Sequence, residues 1–154
     1  MKGIHRWRRL LPGLWAGWLL CVALLATPAP FALLAPSDAG RVVSRMLAQE
    51  AYTSLALGII LLILERLAAR QRVAAGTGSQ FSLGMALAIG TLFCTIAGYF
   101  ALQPLMEAAR AGQGPLSFGQ LHAVSAAFYG LKLVLVGVLA WRASGAALRP
   151  APSA

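Results

Sequence analysis

Four long apolar runs divide the chain, and short segments rich in polar residues, glycine or proline separate them. The runs cover residues of about 10–34, 46–64, 81–102 and 118–141. A helix of about 20 residues crosses a hydrocarbon core of roughly 30 Å, because each residue adds 1.5 Å. The pattern therefore predicts an all-α fold, an integral membrane four-helix bundle spanning residues 10–142. Residues 1–9 would form a basic N-terminus, and residues 143–154 a flexible tail.

The first run needs separate treatment because it has the basic start and apolar middle of a secretory signal. Its apolar character continues past Pro28 and Pro30, and the only suitable small-x-small cleavage site, residues 37–39, lies unusually late. We therefore expect this run to be retained as the first membrane helix.

The second run is the shortest of the four. Its apolar part, residues 51–64, is too short to span the core, so the helix must take in Glu50 on its N-terminal side. Ser37 or Asp38 is the expected N-cap, which gives the helix an amphipathic approach before it enters the membrane.

Composition supports a membrane location and constrains the orientation. The chain is 59% hydrophobic and 11% charged, and its net charge of +9 comes from 13 basic and 4 acidic residues. The basic residues flank the apolar runs, which indicates a topology signal and gives no reason to expect nucleic acid as a partner. Most of them lie before the first run, between the second and third runs and after the fourth, which is one side of the membrane. This excess predicts that both termini are cytoplasmic, in the inner membrane of a bacterium. The expected surroundings are the lipid bilayer and, as protein partners, a second copy of the chain or other membrane proteins.

The fourth run contains every strongly polar residue of its span on one stripe. It begins at a capping box, with Ser117 as N-cap and Gln120 three residues later. At 100° per residue, the polar positions fall within an arc of about 80°. Polar side chains in lipid are costly, so this stripe is predicted to face the bundle interior. It consists of His122, Ser125, Tyr129 and Lys132.

Depth along the helices indicates which polar groups can meet. Counted from the ends expected to be cytoplasmic at 1.5 Å per residue, Lys132 lies roughly 14 Å deep, Glu50 roughly 21 Å and His122 roughly 29 Å. Glu50 therefore lies between the other two, and pairs with Lys132 or with His122 are both geometrically reasonable. A charge-paired Lys132 is the hypothesis that we favour. Polar residues of the third run, Thr91, Thr95 and Tyr99, could line the same space.

Candidate chemistry beyond this cluster is weak. Met46, Met106 and His122 lie near the outer helix ends and form an alternative soft metal site. No GxSxG, HExxH, P-loop or paired-carboxylate motif occurs, so no catalytic residues and no cofactor are predicted. Small-xxx-small pairs favour close helix packing in general, and they are Gly13 with Gly17, Ala86 with Gly90 and Ala126 with Gly130.

Several segments together resemble the transmembrane protein 205-like domain family. The segments are "LWAGWLL" (14–20), "PAPFALL" (28–34), "AGR" (39–41), "QPLMEAAR" (103–110) and "FGQLHAVS" (118–125). Leu121, His122 and Ser125 match the family pattern, whereas Tyr129 stands where the pattern often has asparagine. The resemblance implies a four-helix membrane domain without an assigned activity. For a bundle with this polar interior, we expect a role in transport, stress tolerance or membrane assembly. The tryptophan-glycine opening also resembles copper-resistance membrane domains of the CopD type, which leaves a copper- or haem-associated protein as the alternative.

Overall fold

The structure, a computed structural model, describes residues 2–145 and contains four long helices. Helix α1 consists of an α-helical segment Lys2–Cys21, a π-helical segment Val22–Ala26 and a short α-helical segment Pro28–Leu33. Helix α2 is Pro36–Ala74, and α4 is Phe118–Gly145. Helix α3 consists of Leu83–Thr95, a π-helical segment Ile96–Ala101 and Leu102–Arg110. All four helices are long and apolar enough to cross a membrane, and the prediction of an all-α membrane bundle is confirmed.

The helices extend beyond the apolar runs that predicted them. Helix α1 starts at Lys2 instead of residue 10, so the basic N-terminal residues form its first turns. Helix α2 has 39 residues, because it includes both the polar approach and the arginine-rich segment after the span. Residues 143–145 of the predicted tail belong to α4, and residues 146–154 lie outside the described residues.

Of the two predicted helix N-caps, that of α4 occurs in the structure and that of α2 does not. The capping box of α4 is confirmed: the amide of Gln120 donates to Ser117 Oγ at 3.3 Å, and the amide of Ser117 donates to Gln120 Oε1 at 2.9 Å. The predicted N-cap of α2 is wrong, because the helix starts at Pro36 and its N-cap residue is Ala35. Proline suits this first position, since its missing N–H would have no partner there in any case.

Both π-helical segments precede prolines. A proline ring clashes with the carbonyl of the preceding turn and removes one hydrogen bond from the ladder. In α1, the wider turn lets Thr27 donate both its amide and its hydroxyl to the carbonyl of Val22, at 2.9 and 2.8 Å, immediately before Pro28. In α3, the segment Ile96–Ala101 occupies the turn before Pro104. The prolines therefore give α1 and α3 one irregular turn each at comparable positions in their spans.

The four helices pack in a ring at one end and in two separate pairs at the other. Where α1 begins and α4 ends, here the closed end, α1 packs on α2, α2 on α3, α3 on α4 and α4 on α1. Towards the opposite end, here the open end, the segment Pro28–Leu33 packs on α2, and the segment Leu102–Arg110 packs on α4. The described residues show no comparable packing between these two pairs at the open end. The pairs therefore diverge and leave a space between them.

The apolar core lies in the closed half of the bundle. Trp15, Leu19, Leu61, Val136 and Leu139 form one buried cluster contributed by α1, α2 and α4. Large hydrophobic side chains cover much of the outer surface, as expected where lipid is the solvent. The core therefore closes the bundle on one side of the space between the pairs.

Of the predicted small-xxx-small motifs, the Ala86/Gly90 pair of α3 lies against another helix, because a Cβ atom at Gly90 would lie 3.1 Å from a Leu135 side-chain atom. A Cβ atom at Gly13, Gly17 or Gly130 would have no neighbour within 4 Å among the described residues, so the other two motifs form no interface there. A Cβ atom at Gly58 would lie 2.7 Å from a Leu92 side-chain atom, and one at Gly98 would lie 2.5 Å from Phe128 Cβ. Contacts between helices in lipid depend on such small residues, and here the structure places them at α2–α3 and α3–α4.

Candidate functional site

The space between the diverging pairs is a cavity of about 550 Å³ to which all four helices contribute. Its walls are mainly apolar, with residues such as Phe31, Val43, Leu47 and Met106. All five residues of the predicted polar cluster line it. The polar residues of the lining are Thr27, Ser44, Glu50, Thr95, Tyr99, Gln103, Glu107, Arg110, His122, Ser125, Tyr129 and Lys132.

The deep part of the cavity holds an ion pair between α2 and α4. Lys132 Nζ donates to Glu50 Oε1 at 2.7 Å, and the side chains are only 4% and 3% exposed. The hydroxyl of Ser54 also donates to Glu50 Oε1, and the indole N–H of Trp15 donates to Ser54 Oγ at 3.0 Å. The result is a buried hydrogen-bonded chain across α1, α2 and α4. Of the two partners that sequence depth allowed for Glu50, the structure brings Lys132 to it.

Two hydroxyls of the α4 stripe donate to backbone carbonyls, one inside an irregular turn and the other at a position three residues before the second irregular turn. Ser125 Oγ donates at 2.6 Å to the carbonyl of Gly98, which lies inside the π-helical segment of α3. Tyr129 Oη donates at 2.8 Å to the carbonyl of Leu19, just before the π-helical segment of α1. Irregular backbone at membrane depth needs such partners, because lipid offers none. Both residues therefore position the cavity walls, and the sequence could not reveal this because their partners are backbone atoms.

His122 lies at the mouth of the cavity. It is exposed and stacks on Phe118, with ring centroids 5.8 Å apart and planes 19° apart. The guanidinium of Arg110 lies on the same phenyl ring, 4.5 Å from its centroid. The mouth is therefore a partly aromatic rim that carries a cation.

The α3 residues and the alternative metal ligands are only partly brought together. Thr95 and Tyr99 line the cavity, whereas Thr91 is buried away from it and donates to the carbonyl of Ala88. Met106 lines the cavity together with the mouth histidine, but Met46 does not. Within residues 2–145 there is no group of three or more His, Cys, Asp or Glu side chains suited to a metal ion.

A second ion pair, which sequence reasoning missed, ties the closed end together. Arg8 donates through Nε and Nη2 to the two carboxylate oxygens of Glu65, at 2.8 and 3.0 Å. Ser82, the N-cap of α3, lies 3.4 Å from the same carboxylate, and a Cβ atom at Gly84 would clash with it. The signal in the sequence was Glu65 itself, an acidic residue directly after an apolar run. Arg8 is thus a packing residue as well as a topology signal.

Three hydroxyls of the cavity lining are held by the backbone. Those of Ser125, Tyr129 and Thr95 each donate to a backbone carbonyl, so their protons point away from any side-chain base in these contacts. The formal charges on the lining balance, with two acidic and two basic side chains. What the site offers is a mainly apolar volume, open at one end, with a hydrogen-bonding ion pair at its base.

Comparison with known proteins gives one family assignment. The model of a domain of unknown function (DUF4149) matches residues 10–114, which cover more than half of the chain. The match includes α1, α2 and α3 but stops before α4. Comparisons with curated proteins and with solved structures give no match. The matched range holds three of the four cavity walls, and the chain belongs to the DUF4149 family, whose function is unknown.

Proposed function

We propose that the protein binds a small ligand inside the membrane, in the cavity between its diverging helix pairs, and that it acts in transport or ligand delivery and not as an enzyme. The observation that carries the proposal is the cavity itself. Ligand sites usually have volumes of about 300–1,000 Å³, mostly apolar walls and a few convergent polar groups. This cavity, of about 550 Å³, agrees with each of those properties.

The buried ion pair adds a second argument. An ionised side chain at membrane depth is costly and usually marks a functional path or site. Glu50 and Lys132 are almost fully buried in the protein, yet both belong to the cavity lining. A purely structural pair could have been covered by apolar side chains. An ion pair left facing a cavity supports a role in recognising the ligand.

We further propose that the open end faces away from the cytoplasm of a bacterial cell. Exposed arginines at the closed end, including Arg66, Arg70 and Arg142, outnumber those at the open end, and the positive-inside rule places the former in the cytoplasm. The cavity would then receive its ligand from the outer aqueous phase or the outer leaflet. The relationship to the transmembrane protein 205-like family belongs to the same proposal, because it is supported only by the sequence segments quoted above.

Cysteine accessibility tests this proposal without knowledge of the ligand. In a cysteine-free background, Ala126→Cys places a thiol on the cavity wall, and Ala127→Cys places one on the neighbouring surface outside the lining. Right-side-out vesicles are treated with a membrane-impermeant, negatively charged maleimide. We expect the thiol at 126 to react and the thiol at 127 to remain unmodified in lipid.

The outcomes separate the parts of the proposal. Equal protection of both thiols from either side of the membrane would show that no water-accessible cavity exists and would refute the binding function. Labelling of position 126 only in inside-out vesicles would keep the cavity but reverse the proposed orientation. Labelling of both thiols would show that the α4 surface as a whole meets water, which contradicts the bundle in lipid.

A further inference from the structure

We infer that the ligand is an uncharged amphiphile whose head group carries a hydrogen-bond donor beside an acceptor, as in a primary carboxamide, with the head on the Glu50–Lys132 pair. This inference rests on the proposed function and specifies its ligand class. It starts from the hydrogen bonds that the pair leaves open.

The pair uses only part of its hydrogen-bonding capacity. Glu50 Oε1 accepts from both Ser54 and Lys132, whereas Oε2 has no hydrogen-bond partner among residues 2–145. The ammonium of Lys132 has three N–H donors. Among the described residues it donates to Glu50 and lies over the Tyr129 ring, 4.8 Å from its centroid. Both side chains of the pair are at least nine-tenths buried and line the cavity. The base of the cavity thus presents a free acceptor next to a free donor.

A ligand group that satisfies this base must itself donate and accept. A carboxamide does so, because its carbonyl can accept from Lys132 while its N–H donates to Glu50. A group that only accepts, such as an ester or a tertiary amide, would leave the carboxylate oxygen without a donor. A buried polar group left without its partner costs about 1–3 kcal/mol in protein mutational data, so the site should discriminate between these groups.

Charge balance favours a neutral head group. Glu50 and Lys132 compensate each other, and the other charged lining residues, Glu107 and Arg110, are again one of each sign. A ligand with a net charge would lose its hydration on entering the site and would find no net opposite charge there. Such a transfer is strongly unfavourable in an apolar environment. A neutral head group avoids that cost.

The walls between the ion pair and the mouth specify the rest of the ligand. Val43, Leu47, Phe31 and Ala126 contribute apolar surface along the cavity. Burial of apolar ligand surface on these walls is favourable by about 25 cal/mol per Å². The ligand therefore has an apolar body on the mouth side of its head group.

The test uses octanamide as the probe and the Ala126→Cys thiol as the reporter, in lipid nanodiscs. We expect octanamide to slow maleimide labelling by at least about fivefold once most sites are occupied, as mass action requires. N,N-dimethyloctanamide, which lacks the N–H donor, should slow labelling far less, and so should octanoate and octylamine. In a Glu50→Leu/Lys132→Met double variant, the advantage of octanamide over its dimethyl analogue should disappear.

Each contrary result has a distinct meaning. Labelling that is fast and equally unaffected by all four probes would overturn the inference while the cavity and the proposed function stand. Stronger protection by octanoate or octylamine would overturn it in favour of a charged ligand. Retention of the octanamide preference in the double variant would show that the head group binds elsewhere. A thiol at position 126 that never reacts would overturn the proposed function and this inference with it.

Discussion

Removing one member of the Glu50–Lys132 pair should destabilise the protein far more than removing both. Among residues 2–145, Lys132→Met leaves a buried carboxylate with the hydrogen bond from Ser54 alone. Glu50→Leu leaves a buried ammonium for which the same residues supply no other acceptor. The Glu50→Leu/Lys132→Met double variant leaves no buried charge at this position.

The structure sets the size of the effect. With Nζ and Oε1 2.7 Å apart, the Coulomb attraction at an effective dielectric constant of about 20 is roughly 6 kcal/mol. Desolvation of the two charges offsets most of this gain, because both side chains are at most 4% exposed. Breaking such a pair costs about 3–5 kcal/mol, whereas replacing it with apolar residues is often close to neutral. Each single variant should therefore lose about 3–5 kcal/mol of unfolding free energy, and the double variant about 1 kcal/mol or less.

Unfolding by sodium dodecyl sulfate in mixed micelles, followed by far-UV circular dichroism, measures these differences. Arg45→Met is the matched control, since Arg45 is an exposed cation on the helix of Glu50, and it should change stability by no more than about 0.5 kcal/mol. Steady-state accumulation in the membrane should follow the same order. A Lys132→Met variant as stable as the unmodified protein would show that the ion pair does not stabilise the fold. A double variant less stable than both single variants would show the same.

Three further predictions concern the closed end and the irregular turns. Arg8→Gln should lower the unfolding free energy by about 1–2 kcal/mol, because it removes a bidentate and partly buried ion pair. Arg9→Gln, at an exposed neighbouring position, should have little effect on the unfolding free energy. Equal effects of the two substitutions would contradict the ion pair of Arg8 with Glu65. Gly98→Ala should destabilise the protein by about 1–3 kcal/mol, because the added methyl group overpacks the contact with Phe128. Gly130→Ala places its methyl group in open space and should be neutral or slightly stabilising. Equal stabilities of the two variants in the same denaturant titration would count against the close approach of α3 and α4. Tyr129→Phe should lower the unfolding free energy by about 1 kcal/mol, since it removes one hydrogen bond to a backbone carbonyl. An unchanged unfolding free energy in this variant would mean that water or lipid replaces that hydrogen bond.

Much of the fold could be predicted because it depends on local patterns. The four apolar runs specify the helices, because backbone N–H and C=O groups find no partner in lipid and must form hydrogen bonds within the segment. The capping box at Ser117 is a contact within four residues and needs no tertiary information. The α4 stripe follows from helical periodicity, and the depth of Lys132 follows from the fixed rise per residue, so the pairing with Glu50 was one of two options before the structure was known.

The parts that could not be predicted involve partners distant in sequence or atoms without a sequence signal. Arg8 and Glu65 meet because α1 begins before its apolar run and lies beside α2. Gly98 of α3 packs on Phe128 and belongs to no small-xxx-small motif. Gly13 and Gly17 form such a motif, but none of the described residues lies within 4 Å of a Cβ atom built on either of them. Motif spacing shows that a close approach can occur, but only packing decides which face meets another helix.

For this protein, the sequence by itself determined the number and order of the helices, the membrane setting and the identity of the polar residues inside the spans, because each follows from hydrophobicity, periodicity and depth. The tertiary structure alone decided how those residues are used. It paired Glu50 with Lys132 and assigned Ser125 and Tyr129 to backbone carbonyls at the irregular turns. It also separated the helix pairs at the open end. The physical reason is that a cavity is a property of how helices diverge, and divergence depends on contacts between segments that are remote along the chain.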